Sequence, residues 1–539
     1  MSDFGLDEIF GSSPKMTMLF YCFVIVWLDR AICLILEKFF KFAKMRKGYG
    51  GRGADGAVGG GWRRRPEPGA ARYGELCEPY APSFLLLFCF ALDCGNFMDI
   101  KLSDHFTFGR LIRFTLPSIG MMVFTSIYGV VDGLFVSNFV GKTAFAGLNL
   151  IMPVIMMLSS VGFMLGTGGT ALVARFLGEN DRKRANETFS LLVYFLIGLG
   201  VVISAAAMIF MRRIAIALGA DGELLENAVI YGRILCGTLT LFMLQTSFQT
   251  FLIAAERPTM GFALTVSAGV TNMALDALFV AVFKWGLVGA ALATCMSQVV
   301  GGFVPLIYFS SPNKSLLHLG KAKWNGVILF KTFTNGSSEL LSNIAMSVVS
   351  ILYNFQLIRF AGENGIAAYG CLMYVGFIFA AVFLGWGIGT SPIVSYNYGA
   401  ENRAELHNLF VKNLVAMGVF GLVLFAAAEM LSFPFAKLFT GYDAELFELT
   451  RRAFHLYSFS FLLTGFNMFG SSFFTALNNG FVSALISFMR TMVFQVACVL
   501  VLPVLWGIDG IWLSGIIYEV LSAIVVAVCL AKFKNRYGY

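Results

Sequence analysis

Apolar residues in this chain come in blocks of helical length. They run at about 110–140, 145–173, 189–211, 226–255, 260–283 and 287–309, and again at about 331–360, 364–397, 409–431, 446–477, 480–503 and 508–531. Blocks of roughly 20 residues and more are long enough to cross some 30 Å of hydrocarbon. Short turns carrying glycine, proline or charge separate them. The pattern predicts an all-α membrane protein of about twelve transmembrane helices.

The second six blocks copy the first six. A shift of 221 residues pairs Phe139 with Phe360, Gly141 with Gly362, Gly168 with Gly389, Gly178 with Gly399, Arg182 with Arg403, Phe189 with Phe410, Trp285 with Trp506 and Gly286 with Gly507. One inserted residue in the middle sets Phe251 over Phe473 and Ala254 over Ala476. Self-similarity on this scale means two structural repeats. An even number of crossings per copy lets both copies enter from the same side, so the halves are pseudo-symmetric about an axis along the membrane normal and share a cleft.

The domain plan follows. Residues 1–97 differ from the rest: Met16 to Phe40 is apolar but broken by Asp29, Arg30 and Glu37, and Arg46 to Arg72 is rich in Gly, Ala and Arg. That composition buries too little to fold, and the stretch reads as a disordered extension or an over-called start. Then come an N-terminal six-helix lobe (98–309), a linker (310–330), a C-terminal six-helix lobe (331–531) and a short tail (532–539). Lys and Arg gather at one end of the helices, in Arg182–Arg184, Arg257, the linker, Arg403 and the tail. The positive-inside rule puts that end and both termini in the cytoplasm.

Composition agrees with a multi-pass protein, since 58% of the residues are hydrophobic and 13% charged. The formal charge of +8 is then explained by cytoplasmic loops, and no nucleic-acid partner is expected. The ten cysteines have no metal-ligand or disulfide spacing. Gly141-Lys142-Thr143 lacks the upstream glycine of a phosphate loop, and Gly166-Thr167-Gly168-Gly169 sits inside an apolar block, where small residues let helices pack closely. No nucleophile and base stand in a catalytic context, so an enzyme is not expected, nor a metal or organic cofactor.

What remains are polar groups inside the apolar blocks, which are costly there and mark function by default. Asp132 lies near the end of the first block. Asn272 and Asp276 on the fifth are four residues apart and share a helical face. Thr294 and Gln298 on the sixth, with Tyr231 and Gln249 on the fourth, would complete a polar pocket. Glu519 in the last block either faces the cleft as a further cavity residue or caps a polar contact. Pro117 weakens the first helix. The second copy has Tyr353 at the place of Asp132 and Cys498 at that of Asp276. An acid near a helix end also has the option of snorkelling to the headgroups, which would remove it from any site.

The Val-Val-Asp-Gly-Leu-Phe-Val run around Asp132, Asn272-Met-Ala-Leu-Asp276, Ala174-Arg175-Phe176-Leu177-Gly178 and its echo Ser395-Tyr396-Asn397-Tyr398-Gly399 resemble the multidrug and toxic compound extrusion (MATE) family, most of all its DinF-like branch. The resemblance covers nearly everything from Met98 onward. It implies an antiporter that exports organic cations, drugs among them, in exchange for inward H+ or Na+. The residues matching the coupling set of that branch are Asp132, Asn272, Asp276 and Thr294; Tyr231, Gln249 and Pro117 match family positions too. It further implies a monomer in the bacterial inner membrane. The sequence departs from the NorM-like branch, which places acids inside the seventh and tenth spans. A flippase for a lipid-linked precursor, or an exporter of an endogenous metabolite with the same architecture, is the alternative.

Overall fold

The computed structural model describes residues 100–539 apart from Gly141, Lys314, Gly441 and Tyr442. The extension expected over 1–97 lies outside the described residues. The first half holds α1 (Phe108–Phe139), α2 (Lys142–Gly178), α3 (Arg182–Ala217), α4 (Gly222–Ala254), α5 (Pro258–Asp276, continued by a π-helical segment Ala277–Val282) and α6 (Gly286–Ser310). The second half holds α7 (Gly326–Gly362) and α8 (Asn364–Gly399). They are followed by α9 (Arg403–Thr440), α10 (Ala444–Ser458), α11 (Phe461–Ala476), α12 (Gly480–Phe488, continued by π-helical Met489–Gln495) and α13 (Val496–Tyr537).

Ten stretches among the described residues are singly long and apolar enough to cross a membrane. The other two crossings hide in the segmentation. α10 and α11, of 15 and 16 residues, make one crossing together. The stretch Gly480–Tyr537 makes two, because Gly507 at φ 59° and ψ −138° breaks it. Polar caps start several of the helices: Asp181 accepts the Arg184 N–H at 2.9 Å, and Asn325 accepts those of Val327 and Ile328 at 3.1 and 3.2 Å.

The backbone carries the duplication. Left-handed residues recur in register at Asn180 and Glu401 (φ 61° and 56°), at Glu256 and Asn478 (60° and 58°) and at Gly286 and Gly507 (59° each). Turns, not only side chains, are therefore repeated. The glycines read as packing residues stand where helices touch closely: a Cβ on Gly168 of α2 would lie 2.3 Å from the Thr332 carbonyl oxygen of α7. Its repeat mate Gly389 on α8 faces Thr115 and Ser118 of α1. Each lobe thus sets a second helix against the other lobe's first.

Most of the first half forms one core, centred on residues such as Phe189, Tyr231, Phe248 and Phe251. A second core, around Phe473 and Trp386, joins the second half to the start of α1, and a third lies in the second half around Tyr353 and Trp512. Exposed apolar residues such as Val202, Ile209, Leu422, Met430 and Val504 form the lipid-facing surface. Ahead of α1, the short lead at the basic end is clasped by both lobes. Leu102 and Phe106 are fully buried, the Leu102 N–H donates to Glu256 Oε1 at 2.6 Å, and the Phe106 N–H donates to Glu405 Oε1 at 2.9 Å. Glu256, which its position at a helix end suggests is solvated, is half-buried and anchors this lead.

Candidate functional site

The site is built by two helices that run side by side in the same direction, α1 and α5. Their contact is close because α5 presents glycines to large residues of α1. A Cβ on Gly269 would fall 2.5 Å from Phe124 and 3.1 Å from Tyr128, and Gly261 sits against Met121. On α5 the residues 269, 272 and 276 follow each other along one face; on α1 so do 124, 128 and 132. Packing at Gly269 therefore carries Asp132 to the level of Asn272 and Asp276.

There Asp132 meets the side chains of both Asp276 and Asn272. Asp132 is 7% exposed, Asn272 1% and Asp276 0%, so neither acid reaches out to headgroups or bulk water. The Asn272 amide points toward Thr294 Oγ1 of α6 at 3.5 Å, and that hydroxyl donates to the Ala290 carbonyl at 3.1 Å. Tyr231 of α4 is wholly buried with its ring directed at the same group, near Thr294 and both carboxylates. Four helices thus close one polar chamber. Both carboxylate oxygens of Asp276, Oδ1 of Asp132, Oδ1 of Asn272 and the Tyr231 hydroxyl find no hydrogen-bond partner among the described residues.

That accounting matters, because a buried charge is ordinarily paired, bonded or neutralised. Here two acids face each other and no basic side chain among the described residues forms an ion pair with either. What the arrangement can do chemically is hold a small cation, the simplest being a proton shared between the carboxylates. Among the described residues no group of three or more His, Cys, Asp or Glu has a metal-binding arrangement.

The remaining sequence-predicted residues fall into two sets. Gln298 accepts from Thr238 Oγ1 at 2.6 Å, and Gln249 donates to Thr265 Oγ1 at 3.2 Å beside a small cavity lined also by Gln245 and Gly301. Both lie in the N-terminal lobe, but each is engaged below the chamber rather than in it. Pro117 is 15 residues before Asp132, about 22 Å along the helix, where α1 packs on Gly385 and Gly389 of α8. A bend at Pro117 would act on the contact between lobes.

Glu519 is not brought to the acids at all. It lies in the C-terminal lobe, fully buried, and the Arg490 guanidinium grips it through Nη2 to Oε1 at 2.6 Å and Nε to Oε2 at 3.2 Å. Asn467 and Thr464 donate to it as well, at 2.5 and 3.0 Å. Tyr353, at the place of Asp132, shares a hydrogen bond with Ser514 at 2.7 Å and stacks on Tyr369 with ring centroids 4.8 Å apart.

Three features escaped the sequence reading. Tyr128 stands one turn from Asp132 and close to it; the i, i+4 spacing was a usable signal. Gly269 gave none beyond lying three residues before Asn272. The π-helical turn that begins directly after Asp276 has no sequence signature, though such turns often mark functional sites.

Bundle and chamber together define the class: a polytopic membrane transporter made by internal duplication, with a buried acidic chamber in its first half. The chain belongs to the MatE family, whose model matches residues 117–278 and 340–501, once per lobe. It is 24% identical over 430 residues to the multidrug export protein MepA of Staphylococcus aureus (strain MRSA252), covering 80% of this chain and 94% of that protein. To MepA of Staphylococcus haemolyticus it is 24% identical over 428 residues, 79% of this chain and 92% of that one. Among solved structures, the outward-facing form of a multidrug resistance MATE transporter superposes with a TM-score of 0.75 at 23% identity, covering 79% and 96% of the two chains. A MOP superfamily transporter from Pyrococcus furiosus, described as having a binding pocket of reversed polarity, gives 0.74 at 23% identity over 80% and 96%.

Proposed function

We propose that the chain is an antiporter of the DinF-like kind that exports organic cations in exchange for inward protons, with Asp132 and Asp276 as the shared binding pair. The observation that supports this most is the meeting of two buried carboxylates, from α1 and α5, without a resident positive charge. Such a pair is stable only with a cation bound or a proton shared, and a cargo cation and a proton then compete for it. The relatives' description as multidrug export proteins agrees.

In this reading proton entry releases the cargo. With the acids neutral, Asp132 rearranges against Asn272 and Thr294, α1 flexes at Pro117, and the contact with α8 passes the change to the other lobe. Tyr231 lines the chamber itself, and Gln249 and Gln298 line the path below it. The basic end faces the cytoplasm of a bacterial inner membrane, both termini lie there, and the monomer is the working unit. Exchange of one proton for one monovalent cargo moves no net charge, so the driving force is the pH difference alone, about 1.4 kcal/mol or tenfold per unit.

The test is transport in defined vesicles with pH and sodium gradients imposed separately, using ethidium as cargo. A proton gradient alone is expected to drive accumulation. Accumulation driven only by sodium would replace the proton in this scheme, and indifference to both gradients would reject the exchange.

A further inference from the structure

The polar positions below the chamber of the N-terminal lobe have a counterpart in the C-terminal lobe that the exchange reading leaves unused. By the repeat, Gln298 on α6 corresponds to Glu519 on α13, and Gln245 on α4 to Asn467 on α11. In the N-terminal lobe these positions are neutral, with Gln245 lying against Gly301, one turn from Gln298. In the C-terminal lobe they hold a charge: Glu519 is 0% exposed, and Arg490, Asn467 and Thr464 between them place two donors on each of its oxygens. Two donors per oxygen meet the usual capacity of a carboxylate.

Arg490 stands where the repeat has Ala268. It is carried by the π-helical segment Met489–Gln495, and its side chain is 17% exposed. The other titratable groups facing the pair are phenols, Tyr457 of α10 and Tyr518 beside Glu519 on α13. No second acid competes for the guanidinium among the described residues. A buried ion pair of this kind is no more stabilising than a well-packed neutral replacement, so stability alone does not account for it.

We propose that Arg490 is a tethered cation: it permanently fills, in the C-terminal lobe, the role that a mobile cation plays beside the acids of the N-terminal lobe, and so confines ion coupling to Asp132 and Asp276. An arginine stays protonated throughout the accessible pH range and cannot leave. Glu519 thereby has its counter-charge supplied from within the lobe and stays out of the exchange. The same scaffold then runs one lobe as an ion site and the other as a fixed counterpart. This rests on the exchange reading for its consequence, but the pairing itself is measurable without transport.

The test uses the full chain in detergent and in vesicles. In Arg490→Met, Glu519 loses its resident cation and takes a proton or sodium instead. The infrared spectrum should gain a protonated-carboxyl band that disappears when Glu519→Gln is added; with sodium as the ion, added sodium salt should raise the melting temperature of R490M and not that of R490M/E519Q. Arg490→Lys, which keeps the charge, should show neither. A spectrum and a sodium response of R490M identical to those of the parent would overturn the proposal. Should R490M fail to fold, the neutral pair R490M/E519Q is expected to retain the parent's number of protons exchanged per ethidium, and a lower number would overturn it. Absence of proton exchange in the parent chain itself would reject the exchange reading, and the detergent measurements would still decide the tether.

Discussion

The two lobes share a fold, a set of turns and a common plan of burying polar groups, yet they treat charge in opposite ways. In the first, Asp132 and Asp276 meet with no donor on three of their four oxygens among the described residues. In the second, Glu519 has two donors on each oxygen and its own guanidinium. Tyr353 and Cys498 occupy the places of the two acids there. The difference teaches that duplication supplies buried polar positions twice, whereas the places of Asp132 and Asp276 carry acids in only one copy. An unpaired buried carboxylate is poised to bind; a fully bonded one is a strut.

The sharpest way to break this contrast is to neutralise the open side. Asp276→Asn or Asp132→Asn is expected to lower proton-driven ethidium transport in everted vesicles by about tenfold or more, the equivalent of at least 1.4 kcal/mol of coupling. The melting temperature should hold or rise, because a buried charge without a partner has been removed. Undiminished transport in Asp132→Asn would take that residue out of the mechanism.

The closed side should respond in the reverse sense. Glu519→Gln strands the Arg490 guanidinium, and breaking one partner of a buried pair costs about 3–5 kcal/mol. Thermal denaturation should show a large drop, mostly restored in R490M/E519Q. An unchanged melting temperature for the single variant would mean that the pair opens to water.

A smaller effect tests how the open chamber is assembled. Gly269→Ala places a methyl group 2.5 Å from Phe124, and overpacking of this kind costs about 1–3 kcal/mol. Transport should fall several-fold with the carboxylates intact, and Phe124→Leu added to it should recover part of the loss. Equal activity in the glycine and alanine forms would separate the α1–α5 contact from function.

The smallest expected effect lies outside the spans, at Glu256. Burial pushes its carboxyl up from the ordinary value, against the opposing hydrogen bond from the Leu102 N–H. The native state therefore keeps this proton to higher pH than the unfolded chain does, and stability falls as pH rises through that window. Glu256→Gln should flatten this part of the pH profile of thermal stability; an unaltered slope would assign it to other groups.

How much of this was legible beforehand follows from what each feature depends on. Helices, duplication and the Asp132, Asn272 and Asp276 set are written in hydropathy, spacing and self-similarity, all of which survive in one dimension. The two short helices α10 and α11 read as a single span because apolar residues run on from Phe454 past Phe459 and Ser460 with no glycine or proline between them. Glu519 read as a cavity residue because its partner Arg490 is 29 positions away on another helix, and only packing brings them to 2.6 Å. Gly269 and the π-helical turn after Asp276 matter through backbone approach and register, which composition does not encode. Gln249 and Gln298 belong to the first six blocks, and the hydrogen bonds to Thr265 and Thr238 that hold them below the chamber depend on packing between helices.

Cargo cation and proton, in the proposed exchange, occupy the same buried pair. Titrating the purified chain with ethidium in weakly buffered detergent solution, with a pH indicator following released protons, decides whether they do. Proton release should saturate together with binding in the parent chain and in R490M/E519Q, and be absent when both Asp132 and Asp276 are changed to Asn. Binding without proton release in the parent, or full release in the doubly neutralised chamber, would contradict it.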